Sequence, residues 1–198
     1  ATARKVWRDR WRQSDGERVN LPNALSLARL LAVPIIVWLL LVDAYAPAFL
    51  VFVLAGLSDA VDGYLAKQFE MHTEIGRYLD PIADKTLLVA IYITLGHQEV
   101  LPVWLVILVV SRDLLIVGGA LLAYTVSQPM RPTPLFISKI NTALQIGLAA
   151  TVLGDVAFGV GAGDVIGVLV YAVAASTILS GALYVGNWLR DSGMKETP

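Results

Sequence analysis

The chain has 198 residues, a length that ordinarily makes one domain, and 57 % of them are hydrophobic while only 16 % are charged. With a mean hydropathy of +0.67, it carries too little polar surface to coat a water-soluble core of that size. The absence of cysteine excludes disulfides and thiolate metal sites. The formal net charge of −1 is uninformative as a total, and no nucleic-acid partner is expected.

Residues 1–20 form a polar, basic juxtamembrane segment. Trp7 and Trp11 lie four apart and share one helix face, with Arg4, Lys5, Arg8, Arg10 and Arg12 spread around the rest. This pattern predicts a short amphipathic helix lying on an anionic membrane surface. The alternative is a disordered basic leader that only sets topology. No cleavable signal peptide is read, because the apolar run that follows is long enough to remain in the membrane.

Six apolar spans follow, at about Ala24–Val42, Ala46–Leu65, Ile82–Leu95, Leu101–Tyr124, Phe136–Leu153 and Val165–Trp188. The expected fold class is therefore an all-α integral membrane protein of six transmembrane helices, filling residues 21–190, with a tail at 191–198. Helices satisfy their own backbone in lipid, and the alternation of a transmembrane barrel is absent. The connections after spans one, three and five contain no Lys or Arg, whereas Lys67, Arg77, Arg131, Lys139, Arg190 and Lys195 fall on the other side. The positive-inside rule then puts both termini in the cytoplasm, as an even number of spans also requires.

The chemistry concentrates in Ser58–Lys85. Asp59 and Asp62 lie three apart at the end of span two; Asp80 and Asp84 lie four apart at the start of span three. Both spacings keep side chains on one helix face. Spans two and three, read as antiparallel neighbours, bring the four carboxylates to one depth on the cytoplasmic side. Such a cluster repels itself unless a cation offsets it, and oxygen donors of this kind favour Mg²⁺, Mn²⁺ or Ca²⁺. Carboxylate-held cation pairs suit displacement at phosphorus. A plainer reading makes Asp80–Pro81 a helix N-cap with proline at the first helical position. An ion-coupled transporter also uses intramembrane acids, though nearer the midplane, and a membrane scaffold would tolerate their loss.

This stretch closely resembles the signature of the CDP-alcohol phosphotransferase (CDP-alcohol phosphatidyltransferase) family, in Asp59, Asp62-Gly63, Ala66-Lys67, Gly76, Asp80 and Asp84. Eight residues separate Lys67 from Gly76, as in the family, while Lys67 stands where the family usually has Arg. Lysine keeps the charge but lacks the planar fork, which puts its phosphate contact in doubt. The resemblance implies that Asp59, Asp62, Asp80 and Asp84 hold two divalent cations, Mg²⁺ or Mn²⁺, on the diphosphate of a CDP-linked lipid. It makes Asp84 also the catalytic base on the incoming alcohol. It implies that Gly63, Ala66, Lys67 and Gly76, with Asp59, Asp62 and Asp80, bind the cytidine nucleotide.

Ser111-Arg112-Asp113 and Ser138-Lys139-Ile140-Asn141-Thr142 are most similar to the CMP-forming cardiolipin synthase branch. That branch would transfer a phosphatidyl group from CDP-diacylglycerol to phosphatidylglycerol. The alternative within the family is a phosphatidylglycerophosphate synthase using glycerol 3-phosphate. An anionic acceptor needs cations, and the candidates are Arg112, Lys139 and Arg29. Arg112 could equally be an internal partner of Asp113, and Arg29 could simply snorkel to the surface. His72 and His97 lie in opposite connections and cannot share a site. The resemblance also implies a homodimer, for which Gly118, Gly119 and Ala120 offer a close-contact surface.

Overall fold

The computed structural model describes the backbone of residues 21–69, 74–125 and 136–193, and the side-chain environment of residues 27–58, 85–118 and 136–186. The expected surface helix around Trp7 and Trp11, His72 and Arg131 lie outside these residues. So do the end of the C-terminal tail and the side chains of Gly119, Ala120 and the whole acidic stretch.

Six helices and no strand occur among the described residues. They are α1 (Leu21–Leu41), α2 (Tyr45–Phe69), α3 (Glu74–His97), α4 (Val103–Thr125), α5 (Phe136–Phe158) and α6 (Gly163–Gly193). Each coincides with one apolar run of the sequence. By length and composition, Phe136–Phe158 and Gly163–Gly186 can each cross a membrane, while Leu27–Leu41, Tyr45–Ser58 and Lys85–His97 are shorter apolar stretches.

Three tight turns join α1 to α2, α3 to α4 and α5 to α6. The first two close by the same device. Asp43 and Glu99 adopt left-handed backbone (φ 58° and 61°), and the following amides, Ala44 N and Val100 N, reach back to the Leu39 and Leu95 carbonyls at 2.8 and 3.0 Å. These are Schellman closures, which satisfy carbonyls that a helix end leaves open. In the third, Gly159 (φ 63°) donates to the Asp155 carbonyl at 2.8 Å, and the Asp155 carboxylate accepts from Ala162 N at 2.7 Å. Gln98 Nε2 also donates to the Leu40 carbonyl at 2.5 Å, tying the first two turns together. The tight turns are the connections without Lys or Arg.

Such turns make successive helices antiparallel, so all three lie at one end of the bundle. Around that end the core is hydrocarbon: Ile36, Leu40, Ala48, Phe52, Ile91, Leu95, Leu101, Leu105, Val152 and Leu153. Phe49 packs edge-on against Phe158, with ring centroids 5.5 Å apart. The outer surface is apolar too. Trp38, Leu54, Ile107, Leu114, Val168 and Tyr171 are all more than 60 % exposed, a patch far larger than a soluble monomer tolerates.

α1 packs on both α2 and α3, and α5 likewise touches both, as well as α6. Among the described residues α2 and α3 do not pack on each other. The direct contact expected between spans two and three is therefore absent from their described portions, and α1 and α5 flank the gap between them.

Candidate functional site

Each helix buries one stripe, and toward the end opposite the tight turns the stripes change character. On α4 the buried positions run Leu105, Val106, Val109 and then Arg112 and Asp113. On α5, read from the tight-turn end, they run Leu153, Val152, Ala149, Leu148 and then Gln145 and Asn141. On α6, Val170, Val173 and Ala174 give way to Ser176, Thr177 and Ser180, and on α1 the stripe of Leu40 and Ile36 ends in Arg29. Four helices thus turn polar inside at the same end.

The acids fall on the continuation of this pattern. On α2, positions 59 and 62 follow Ala48, Phe52 and the half-buried Ala55 at steps of four, three, four and three. On α3, positions 80 and 84 precede Leu88, Ile91 and Leu95 at steps of four, four, three and four. Those steps keep to one face of a helix, so all four acids are in phase with the core-facing stripes of their helices. At a rise of about 1.5 Å per residue, Asp59 lies ~21 Å along α2 from its start, and Asp84 lies ~20 Å from the end of α3. By this count the two pairs of helix positions stand at a similar height along the bundle, and their side chains lie outside the described residues. One expectation is corrected. Helix α3 begins at Glu74, six residues before Asp80, so Asp80 is no N-cap and Pro81 stands in the second turn of a continuing helix. The helix begins earlier than the apolar run because backbone hydrogen bonding, not hydrophobicity, defines it.

Beside this depth lies a network of buried charge. Arg112 Nη1 donates to Asp113 Oδ1 at 2.6 Å, and Lys85 Nζ donates to the same oxygen at 2.8 Å. Arg112 Nη2 reaches Ser138 Oγ on α5 and Ser180 Oγ on α6, both at 2.6 Å. Three helices are joined to α3 through one guanidinium and one carboxylate. A turn deeper, Asn141 Oδ1 accepts from Ser176 (2.7 Å) and Thr177 (2.9 Å), and Tyr92 donates to the Gln145 main-chain carbonyl at 3.0 Å.

Of the three cations proposed for acceptor binding, Arg112 is engaged by Asp113, the internal pair weighed from the sequence. Arg29 is buried, 4 % exposed, which corrects the snorkelling reading: it faces the bundle at the polar end rather than the surface. Lys139 is exposed near the start of α5. His97 closes α3 at the tight-turn end, away from the acids. The sequence reading passed over Lys85, Ser138 and Ser180 as functional groups. For Ser180 the signal was helical phase: Ser176, Thr177 and Ser180 form a polar stripe inside an otherwise apolar run.

The donor set fits a divalent cation on its chemistry. Four carboxylates offer only hard oxygen ligands, and their sequence positions continue the helical phase of the buried stripes of α2 and α3. No cluster of three or more His, Asp or Glu able to hold a metal occurs among the described residues.

The family model for CDP-alcohol phosphatidyltransferase matches residues 19–181. The chloroplastic CDP-diacylglycerol–glycerol-3-phosphate 3-phosphatidyltransferase 1 of Oryza sativa is 38 % identical over 180 residues, covering 82 % of this chain and 55 % of the relative. A cardiolipin synthase (CMP-forming) / mitochondrial hydrolase fusion protein of Schizosaccharomyces pombe is 36 % identical, covering 83 % and 30 %. The CDP-diacylglycerol–glycerol-3-phosphate 3-phosphatidyltransferase of Rickettsia typhi is 33 % identical, covering 83 % and 94 %. The chain thus spans about half or less of the first two relatives and nearly all of the third.

Proposed function

The chain belongs to the CDP-alcohol phosphatidyltransferase family, and we propose that it is a multi-pass membrane enzyme that transfers the phosphatidyl group of CDP-diacylglycerol to phosphatidylglycerol, giving cardiolipin and CMP. The observation that carries this reading is the meeting of two patterns at one depth. The acid positions continue the inner stripes of α2 and α3 where α1, α4, α5 and α6 turn polar inside.

The chemistry follows from the groups. The acceptor hydroxyl oxygen attacks the phosphorus that carries the diacylglycerol, its proton passes to Asp84, and the bond from that phosphorus to the CMP oxygen breaks. Asp59, Asp62, Asp80 and Asp84 would hold two divalent cations, Mg²⁺ or Mn²⁺, which would supply the positive charge that the diphosphate and departing CMP require. Gly63, Ala66 and Gly76 would leave room for the nucleotide beside Asp59, Asp62 and Asp80, and Lys67 would offer its charge to the phosphates. Arg29 and Lys139 are the cations at this end for the acceptor phosphate. Arg112, tied to Asp113, contributes charge to the same neighbourhood rather than a free fork.

The apolar outer surface supports six spans in a bilayer. The placement of Lys and Arg supports both termini and the active end in the cytoplasm. Residues 1–20 act as a surface-lying segment, residues 21–190 as the catalytic domain and residues 191–198 as a tail, and a homodimer is the working assembly.

A second reading has its own support. The rice relative of highest identity among the three compared, and the Rickettsia relative matched over nearly its whole length, are both named for glycerol 3-phosphate as acceptor. The test is purified protein in detergent with CDP-diacylglycerol and Mn²⁺, offered phosphatidylglycerol or glycerol 3-phosphate separately. CMP and cardiolipin from phosphatidylglycerol, lost in Asp84→Asn, is the expected result. Phosphatidylglycerophosphate from glycerol 3-phosphate alone replaces it with the second reading, and folded protein that releases no CMP with either acceptor refutes both.

A further inference from the structure

Lys85 follows Asp84 directly in α3 and is the described residue nearest to it. Its ammonium does not float. It donates to Asp113 Oδ1 on α4 at 2.8 Å, with the two side chains 30 % and 5 % exposed. The same oxygen holds Arg112 at 2.6 Å, and Arg112 is in turn held by Ser138 of α5 and Ser180 of α6. A continuous line of charged hydrogen bonds therefore runs from three helices to the residue beside Asp84.

That line matters because of how α3 is built at this point. Pro81 lies inside the helix, between Asp80 and Asp84. Having no amide N–H, it removes one backbone hydrogen bond from the segment that carries the acids, so the backbone alone fixes the helical phase there less firmly. Phase is critical. A carboxylate stands about 5–6 Å from a helix axis, and a rotation of roughly 20° then carries it through ~2 Å. Metal–ligand distances tolerate only about 0.2 Å. A side-chain tie one residue from Asp84 is well placed to remove that freedom.

We propose that Asp113 is a positioning residue: by gripping Lys85 it sets the rotation of α3 and so presents Asp80 and Asp84 for metal binding. The inference rests on the four-carboxylate reading above. It assigns to Asp113 a task that needs no contact with substrate, and to Lys85 a task distinct from binding phosphate.

The test reads metal binding directly rather than turnover. Full-length protein in nanodiscs is titrated with Mn²⁺ and free Mn²⁺ is followed by EPR, for wild type, Asp113→Asn, Lys85→Met, the double variant, Lys85→Arg and the control Asp84→Asn. Loss of such a supporting partner typically weakens metal affinity by about 10–100-fold. Each single variant should raise the Mn²⁺ dissociation constant at least about tenfold. The double should be no weaker than the weaker single, because each single already breaks the Lys85–Asp113 contact, and Lys85→Arg should keep most of the affinity. Wild-type affinity in both singles, or effects that multiply in the double, overturns the inference while the Asp84→Asn control keeps the four-carboxylate reading intact. If Asp84→Asn itself leaves Mn²⁺ binding unchanged, the four-carboxylate reading fails and takes the inference with it. Should Asp113→Asn fail to give monodisperse protein, Lys85→Met decides alone, since the partly exposed Lys85 can be removed without stranding a fully buried cation.

Discussion

Two amides one turn apart on α5 should respond to mutation in opposite directions. Asn141 and Gln145 are both fully buried. Asn141 Oδ1 accepts hydrogen bonds from Ser176 at 2.7 Å and Thr177 at 2.9 Å, whereas neither Oε1 nor Nε2 of Gln145 has a partner among the described residues. Side-chain hydrogen bonds between helices in a membrane bundle contribute about 0.6 kcal/mol each on average and up to about 1.7. Removing two of them in Asn141→Ala should cost about 1–3 kcal/mol, held toward the lower end because Ser176 Oγ also lies 3.0 Å from the Val173 carbonyl and can fall back on it. In Gln145→Met a similar volume remains, while two polar atoms that each carry a desolvation penalty of about 1–3 kcal/mol are lost. The penalty shrinks because the unfolded chain in lipid or detergent also buries polar groups, so the variant should be neutral or up to about 2 kcal/mol more stable. Thermal unfolding in detergent, followed by loss of monodisperse protein, separates the two. At about 2–4 °C per kcal/mol for a chain of this length, Asn141→Ala melts several degrees below Gln145→Met. If Gln145→Met costs more than about 1 kcal/mol, the amide has a partner that this reasoning lacks, and the argument fails.

Charge counting around Asp113 predicts an asymmetry. Asp113→Asn leaves Lys85 and Arg112 close together without a counter-charge and should cost about 3 kcal/mol or more, whereas Arg112→Met leaves the Lys85–Asp113 pair intact and should cost about 1–3. Thermal unfolding that ranks them in reverse rules the argument out. Gly96 lies where α3 meets α4, and a Cβ there would stand 2.8 Å from Val106 Cγ2. Gly96→Ala should therefore lose about 1–3 kcal/mol by overpacking. The same melting assay should show most of that recovered in Gly96→Ala/Val106→Ala, and equal losses in both would mean that the clash is not the cause.

The six helices were legible because long apolar runs are a strong signal, and the starts of α1, α2, α4, α5 and α6 fall within three residues of the spans read from the sequence. The start of α3 was not legible, since Glu74 to Asp80 reads as the end of hydrophobicity although the backbone is already helical there. Packing partners were also hidden. Chain order made spans two and three neighbours, whereas among the described residues α3 packs on α1, α4 and α5, a choice that side-chain fit makes and periodicity does not. The acids were selected from spacing alone, and their side chains lie outside the described residues. Arg112 was readable only as a pair of alternatives, because a charge beside Asp113 in an apolar span has the same sequence signature whether it binds substrate or its neighbour. Lys85 was hidden for a different reason: its partner lies 28 residues away on another helix, and nothing local announces the contact.

The distribution of unpartnered polar atoms says what the polar end of this bundle is for. Helices in lipid gain no hydrophobic attraction for one another and associate through packing and hydrogen bonds, so a few fully satisfied buried pairs would suffice to hold six of them together. The Asn141–Ser176–Thr177 cluster fits that description at its carbonyl oxygen. Yet Asp113 Oδ2, Arg112 Nε, Asn141 Nδ2 and both amide atoms of Gln145 have no partner among the described residues, a density that native interiors seldom carry without a reason. These five gather toward the end where α2 and α3 bear their acid positions, whereas Gln98 Oε1 is a single unpartnered atom at the tight turns, where the buried core is otherwise mostly hydrocarbon. Methyl groups would serve association better at those positions. An interior that keeps donors and acceptors in reserve beside four carboxylates is suited to receiving charged, hydrogen-bonding headgroups. The apolar half then has a separate task, fixing the helices so that this polar half keeps its shape.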